Sequence, residues 1–196
     1  MHLKLLVLGI ISVGLAHGAS VASSSQNCTV EEGFEAYKCA SQLYEFNDFI
    51  TDLDMEDKTQ VLEFKSFCDS LQSCYRSMLC TNPNNETEKK LTGIKNYCDA
   101  VVFVSTEFAA CSNKLEVQNS TCYQDWSPFP PAIDSELDPK KREILIKNAC
   151  MNYFGPENCM KEVIVDLCGE QDWFGFRDHF LSISNLLYTC DIPQWP

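Results

Sequence analysis

The sequence predicts an all-α fold: a disulfide-stapled helical domain of about six helices. Three observations lead to this prediction. The chain has 12 cysteines, all of them after residue 22; its apolar residues recur at intervals typical of helices; and it almost lacks the alternation typical of strands. Because the number of cysteines is even, all of them can pair.

Residues 1–22 have the pattern of a secretory signal peptide. Lys4 lies in a short cationic start, an apolar run follows from Leu5 to Ala16, and small residues offer cleavage within positions 18–22. The run is shorter than the roughly 20 residues that a bilayer span needs. We therefore expect a secreted, extracellular protein without a membrane span, whose residues 23–196 form a single domain.

The first three helices are predicted by apolar stripes. Thr29 and Glu32 fit a capping box before the first helix, which continues to about Leu53. A second helix covers residues 61–80. A third covers 91–111, with a weaker pattern because it holds β-branched residues and a glycine.

A long proline-containing connection, residues 116–137, interrupts the helical pattern. A helix resumes at Asp138-Pro139, where an aspartate cap is followed by a proline suited to the first helical position, and it stops at Gly155-Pro156. A short helix from Glu157 to Leu167 and a last helix from Trp173 to Cys190 complete the prediction.

Export determines how the cysteines are interpreted, because structural disulfides are the default in an oxidising compartment. They are Cys28, Cys39, Cys68, Cys74, Cys80, Cys98, Cys111, Cys122, Cys150, Cys159, Cys168 and Cys190. No Cys-x-x-Cys pair occurs, and His179 is the only histidine after the leader. We therefore expect no metal site and no other cofactor.

Helix geometry limits how the cysteines can pair. Within one helix, Cys68 and Cys74 lie about 9 Å apart along the axis, whereas a disulfide needs Cα atoms within about 7 Å. These two cannot bond, and the same reasoning excludes Cys159 with Cys168. The remaining connectivity stays open.

The cysteine intervals suggest two related halves. From Cys28 they are 11, 29, 6, 6 and 18 residues, and from Cys111 they are 11, 28, 9, 9 and 22. This similarity favours an internal duplication. A chance likeness is the alternative, since the side chains of the two halves have little in common.

Three sequons predict N-linked glycosylation. Asn85 lies in a polar connection between helices and Asn119 in the long connection, where exposure is expected. Asn27 is a weaker site because its middle residue, Cys28, is expected to enter a disulfide.

The run from Cys150 to Lys161, which contains Phe-Gly-Pro-Glu-x-Cys-Met-Lys, is followed by Cys168-Gly169 and by Trp173-x-x-Phe-Arg. This pattern resembles the signature of a nematode-expanded family of small secreted twelve-cysteine proteins, whose domain has no known function. The resemblance implies a secreted, glycosylated, disulfide-rich domain with no assigned catalytic residues.

Charge and the residue inventory restrict the function. The formal net charge of −13 disfavours nucleic acid as a partner. No Gly-x-Ser-x-Gly motif accompanies His179, so no catalytic residues are assigned and a non-enzymatic protein is expected.

The leading hypothesis is an extracellular binding or interaction module for an unidentified protein. Its recognition surface is expected at Trp126 and Phe129, in the long connection; the alternative is that these aromatic side chains fill the core. A second hypothesis is a carrier of a small lipid or other apolar ligand. A third is a carboxylate-dependent hydrolase.

Overall fold

The computed structural model describes residues 32–81, 84–184, 188 and 190–193. All regular structure in these residues is helical, which confirms the predicted all-α fold. The helices are α1 (Glu32–Thr51), α2 (Lys58–Thr81), α3 (Asn85–Ser105), α4 (Ala109–Val117), α5 (Thr121–Gln124), α6 (Ala132–Ser135), α7 (Pro139–Met151), α8 (Cys159–Cys168) and α9 (Glu170–Ser184), with a 3-10 turn at Pro156–Asn158.

The described residues divide into two compact units. The N-terminal unit ends at Val102 and the C-terminal unit begins at Phe103. The expectation that residues 23–196 form a single domain stays a prediction.

The N-terminal unit is built around α1 and α2. Asp57 caps α2, since its carboxylate accepts hydrogen bonds from the backbone N–H groups of Thr59 and Gln60 at 2.8 and 3.4 Å. Three aromatic rings meet in the core: the centroid of Phe46 lies 5.6 Å from that of Phe64, and the edge of Tyr97 packs against both. Aromatic packing therefore holds these helices together.

The core of the C-terminal unit is an aromatic cluster built from the segment after α7, the long connection and α9. Tyr153 contacts both of the other segments: its hydroxyl donates to the carbonyl of Phe180 at 2.8 Å, and its own carbonyl accepts the indole N–H of Trp126 at 2.8 Å. Phe176 packs against the rings of Trp126 and Phe180, with centroid distances of 5.2 and 4.3 Å.

Five disulfides join the described helices and segments, each within one unit: Cys39–Cys74, Cys68–Cys98, Cys111–Cys168, Cys122–Cys159 and Cys150–Cys190. The prediction that neither Cys68–Cys74 nor Cys159–Cys168 forms is confirmed. Cys28 and the side chain of Cys80 lie outside what the structure describes.

The disulfide pattern repeats between the units. Numbering the six cysteines of each half in order, the second pairs with the fourth and the third with the sixth in both halves. The same order of pairing in both halves agrees with the internal duplication that the cysteine intervals favour.

Several helix boundaries differ from the sequence prediction, and α5 and α6 lie within the predicted connection. The third helix ends at Ser105 and a new helix begins at Ala109, because the chain turns so that the backbone N–H of Phe108 bonds the carbonyl of Phe103 at 2.9 Å. The last helix is described only to Ser184, and Cys190 is not helical.

Other boundaries follow the prediction closely. Asp138 caps α7, with its carboxylate accepting from the backbone N–H groups of Lys140 and Lys141 at 2.9 and 3.3 Å. Gly155, where the helix was predicted to stop, lies beyond the end of α7 at Met151 and has a φ of +84°; Gly169, directly after α8, has a φ of +101°. Glycine adopts these angles without the penalty that a Cβ atom imposes.

The two glycines give a matched test of packing. A Cβ at Gly155 would lie 2.6 Å from Sγ of Cys159 and 3.2 Å from Sγ of Cys122, which are bonded to each other, whereas a Cβ at Gly169 meets nothing within 4 Å. Both alanine variants should lose ~1–3 kcal/mol to backbone strain, because both glycines have a positive φ with ψ near 170°, a combination essentially restricted to glycine. Gly155→Ala should lose ~1–3 kcal/mol more through overpacking. Equal losses in urea unfolding would contradict this.

Alkaline pH should destabilise the protein. Burial raises the pKa of Tyr97 and of Tyr153 above the usual 10.0. Below pH 10 both phenols are protonated in the folded and the unfolded chain, so the stability is intact. As the pH rises further, the unfolded chain releases protons that the folded chain retains, and the free energy of unfolding falls.

A titration that follows tyrosinate absorbance and circular dichroism together would measure this effect. Tyr97 and Tyr153 should ionise only as the helix signal disappears, and Tyr153→Phe should remove one of these late ionisations. Ionisation of all seven tyrosines with the helix signal intact would contradict the prediction.

Candidate functional site

The prediction of an exposed recognition surface is wrong for Trp126. Its side chain is only 8% exposed, and its ring packs 5.2 Å from Phe176 and 4.9 Å from Phe180. Its N–H is bonded to the carbonyl of Tyr153. The alternative, that this aromatic residue fills the core, is what the structure shows.

Phe129 is half-buried and packs onto the same core. Its ring centroid lies 5.6 Å from that of Tyr153 and 5.1 Å from that of Tyr188. Pro128 beside it is buried. The prolines that end the helical pattern therefore lie in a connection that follows the core instead of projecting from it.

Large apolar side chains are exposed on several of the described helices, and three of them lie on and beside α7. Leu137 is 93% exposed, Ile144 59% and Met151 55%. Only Ala149 and Cys150 of this helix are buried. These three side chains are seven residues apart in the sequence, and this interval could have predicted an exposed apolar stripe.

Four residues of α7 form one exposed stripe, called here the α7 outer face: Lys140, Ile144, Lys147 and Met151. At about 100° per residue they fall within an arc of about 60°. A helix lying on a protein surface normally presents polar residues to solvent on this side. Here cationic and apolar side chains alternate along the face.

The charge of α7 contrasts with that of the chain. The helix holds Lys140, Lys141, Arg142 and Lys147 against one acid, Glu143, in a chain of net charge −13. Three of these cations lie in or next to the first turn, where the helix dipole disfavours positive charge.

Within the described chain, one of these cations pairs with an acid. Arg142 lies 3.5 Å from a carboxylate oxygen of Asp134, an acid that also accepts a hydrogen bond from the hydroxyl of Tyr188. The two lysines of the α7 outer face make no ion pair with a described residue. They are therefore available to a partner.

His179 takes part in packing within the C-terminal unit. Its Nδ1 lies 2.8 Å from the carbonyl oxygen of Gly175, and its ring stacks on Phe103 at 4.2 Å with the planes 8° apart. The side chain of His179 is half-buried.

Among the described residues, one group of metal-ligating residue types comes together, formed by Cys111, Cys168 and Asp172, whose ligand atoms lie within 4.8 Å of one another. The two sulfur atoms are bonded to each other. Because metals bind thiolates, this oxidised pair does not offer the ligands that the distances alone would imply.

Two predicted glycosylation sites are exposed. Asn85 is the first residue of α3, and Asn119 has a φ of 57°, with its side-chain carbonyl accepting a hydrogen bond from Gln124 at 2.6 Å. Asn27 lies outside the described residues. Glycan attachment at these positions stays a prediction.

In the described part of the chain, none of the helices combines the length and the apolar character that crossing a bilayer requires. The predicted absence of a membrane span holds for these residues.

Comparison with known proteins identifies the family. A family model described as a domain of unknown function (DUF19) matches residues 28–191. UPF0376 protein F10G2.1 of Caenorhabditis elegans is 50% identical over 193 residues, covering 96% of each chain. Excretory canal abnormal exc-13 of the same organism is 43% identical over 198 residues, covering 98% of each.

A third C. elegans protein, UPF0376 protein C36C5.12, is 35% identical over 196 residues, covering 98% of this chain and 90% of its own. No solved structure matches the chain. The resemblance to a nematode family is thereby confirmed, and the chain belongs to the DUF19 family.

Proposed function

We propose that this protein is a secreted, non-enzymatic interaction module that binds an acidic surface of another extracellular protein through the α7 outer face. The observation that supports the proposal is the alternation of exposed lysine and exposed apolar side chains along that face. Ile144 and Met151 supply apolar contact area, and the two lysines supply positive charge.

The dimensions of the face suit a helix that docks into a shallow groove. Ile144 and Met151 are seven residues apart, or about 10 Å along the axis. Apolar anchors at such spacing are how helices occupy grooves on partner proteins. Lys140 and Lys147 lie between and beside the anchors, where they accelerate encounter with an acidic patch.

The acidity of the rest of the chain favours a protein over other anionic partners. A membrane or a nucleic acid is an extended polyanion and would meet the surrounding negative surface as well as the face. A protein presents its negative charge as a local patch, which the α7 outer face can contact alone.

Secretion is supported by the signal-like residues 1–22 and by five disulfides among the described residues. Several disulfides in one chain are typical of proteins in oxidising compartments such as the extracellular space. Glycans at Asn85 and Asn119 would follow from export, and both side chains are exposed.

The absence of enzymatic activity is supported by how His179 is used. One ring nitrogen faces a carbonyl of its own helix and one ring face covers Phe103. The hydrolase alternative would need two carboxylates about 5–10 Å apart in a cleft, whereas the described groove of the C-terminal unit is lined by one, that of Asp178. The carrier alternative is favoured by a groove in the C-terminal unit.

Charge reversal on the face should abolish partner binding. We expect cross-linking of the purified protein in its native extracellular fluid to join Lys140 or Lys147 to one stoichiometric acidic protein. Lys140→Glu with Lys147→Glu should reduce capture of that protein at least ~10-fold, as the loss of about 1.4 kcal/mol would.

Lys58 and Lys65 provide the matched control, because they too are exposed, lie seven residues apart and start at the beginning of a helix, α2. Lys58→Glu with Lys65→Glu should leave capture intact. The proposal fails if both double variants lose the partner equally, if neither does, or if the wild-type face cross-links only to a second copy of the chain.

A further inference from the structure

A groove of about 300 Å³ lies along one side of α9 in the C-terminal unit. Trp173, Arg177 and Leu181 line it at intervals of four residues, so they follow one stripe of the helix over about 12 Å. Asp178, Phe154 and the segment Ile192-Pro193 complete the lining. The volume is at the lower end of the range for small-molecule sites.

The floor of the groove is aromatic and rigid. Trp173 is 1% exposed and Phe154 3%, and their rings meet edge to face with centroids 5.1 Å apart. Both are held within the aromatic core of the unit, so the floor is formed before any ligand arrives. A preformed apolar floor lowers the cost of binding.

One polar atom of this floor has no hydrogen-bond partner among the described residues. It is the indole N–H of Trp173, which is buried. Buried tryptophan N–H groups usually find an acceptor, because leaving such a donor unpaired is costly. Trp126 in the same unit shows the usual arrangement, with its N–H bonded to the carbonyl of Tyr153.

The rim of the groove holds one positive and one negative side chain, so its net charge is zero. Both Nε and Nη2 of Arg177 donate to one carboxylate oxygen of Asp178, at 3.0 and 2.8 Å, and the guanidinium lies 5.1 Å above the ring of Phe174. An anion at the rim would meet the carboxylate of Asp178, and a cation would meet Arg177. The rim therefore favours a ligand without charge.

A disulfide fixes the remaining wall. Cys190, two residues before Ile192, is bonded to Cys150 at the end of α7. This bond anchors the segment that follows α9 beside the groove. The wall therefore depends on a covalent attachment.

We propose that the groove binds a small uncharged apolar molecule that has one hydrogen-bond acceptor oxygen, such as a fatty alcohol. The apolar body lies on Phe154, Leu181 and Ile192, and the oxygen accepts the N–H of Trp173. Because that N–H is buried, the proposal requires side chains of the groove to change rotamer as the ligand enters, and Arg177 and Leu181 are half-buried lining residues that can do so.

This site is independent of the α7 outer face, since the two share no residue. Loss of ligand binding leaves the proposed protein contact in place, and loss of the protein contact leaves the groove in place. The two proposals can therefore fail separately.

The test uses the full secreted protein, labelled with a nitrogen isotope on tryptophan, and three probes of equal chain length: decanol, decanoate and decylamine. We expect decanol to shift the indole signal of Trp173, assigned from Trp173→Phe, and to leave that of Trp126 in place because its N–H is already bonded. Calorimetry should show decanol binding about ten-fold more weakly to Trp173→Phe.

Leu181→Arg tests the groove without touching the tryptophan, and Ser182→Arg on the exposed side of α9 is its control. The first should abolish decanol binding and the second should retain it. Tighter binding of decanoate or decylamine than of decanol overturns the inference, as does an unmoved Trp173 signal or equal binding by the two arginine variants.

Discussion

Tyr153 is the residue on which the C-terminal unit depends, because it joins three segments through its two ends. Its carbonyl accepts the N–H of Trp126 from the long connection, and its hydroxyl donates to the carbonyl of Phe180 on α9. Each hydrogen bond contributes about 1 kcal/mol net, but leaving its buried partners unpaired costs more. The position of Trp126 and the floor of the groove both follow from this arrangement.

Local signals in the sequence predicted the elements that local chemistry determines. Asp138 caps α7 because its carboxylate reaches backbone donors two and three residues ahead. Gly155 lies in the turn after α7, where the backbone has a positive φ that glycine adopts easily. The rule that cysteines six or more residues apart in one helix cannot bond follows from helical rise alone. These features need no knowledge of the rest of the chain.

Features that depend on tertiary packing escaped the same reasoning. Trp126 stands among prolines in the sequence, but a carbonyl 27 residues away accepts its N–H, so it is buried. The break after Ser105 follows from a turn that returns Phe108 to the core. The unpaired N–H of Trp173 could not be predicted either, because the sequence around Trp173 does not show which residues pack against its side chain.

The bond between Cys150 and Cys190 has a consequence for both candidate surfaces. Cys150 directly precedes Met151 at one end of the α7 outer face, and Cys190 stands two residues before the groove wall at Ile192. A reductant that broke this bond alone would release the end of the helix and the wall together. The proposed protein contact and the proposed ligand site therefore both depend on this one disulfide, although they use separate side chains.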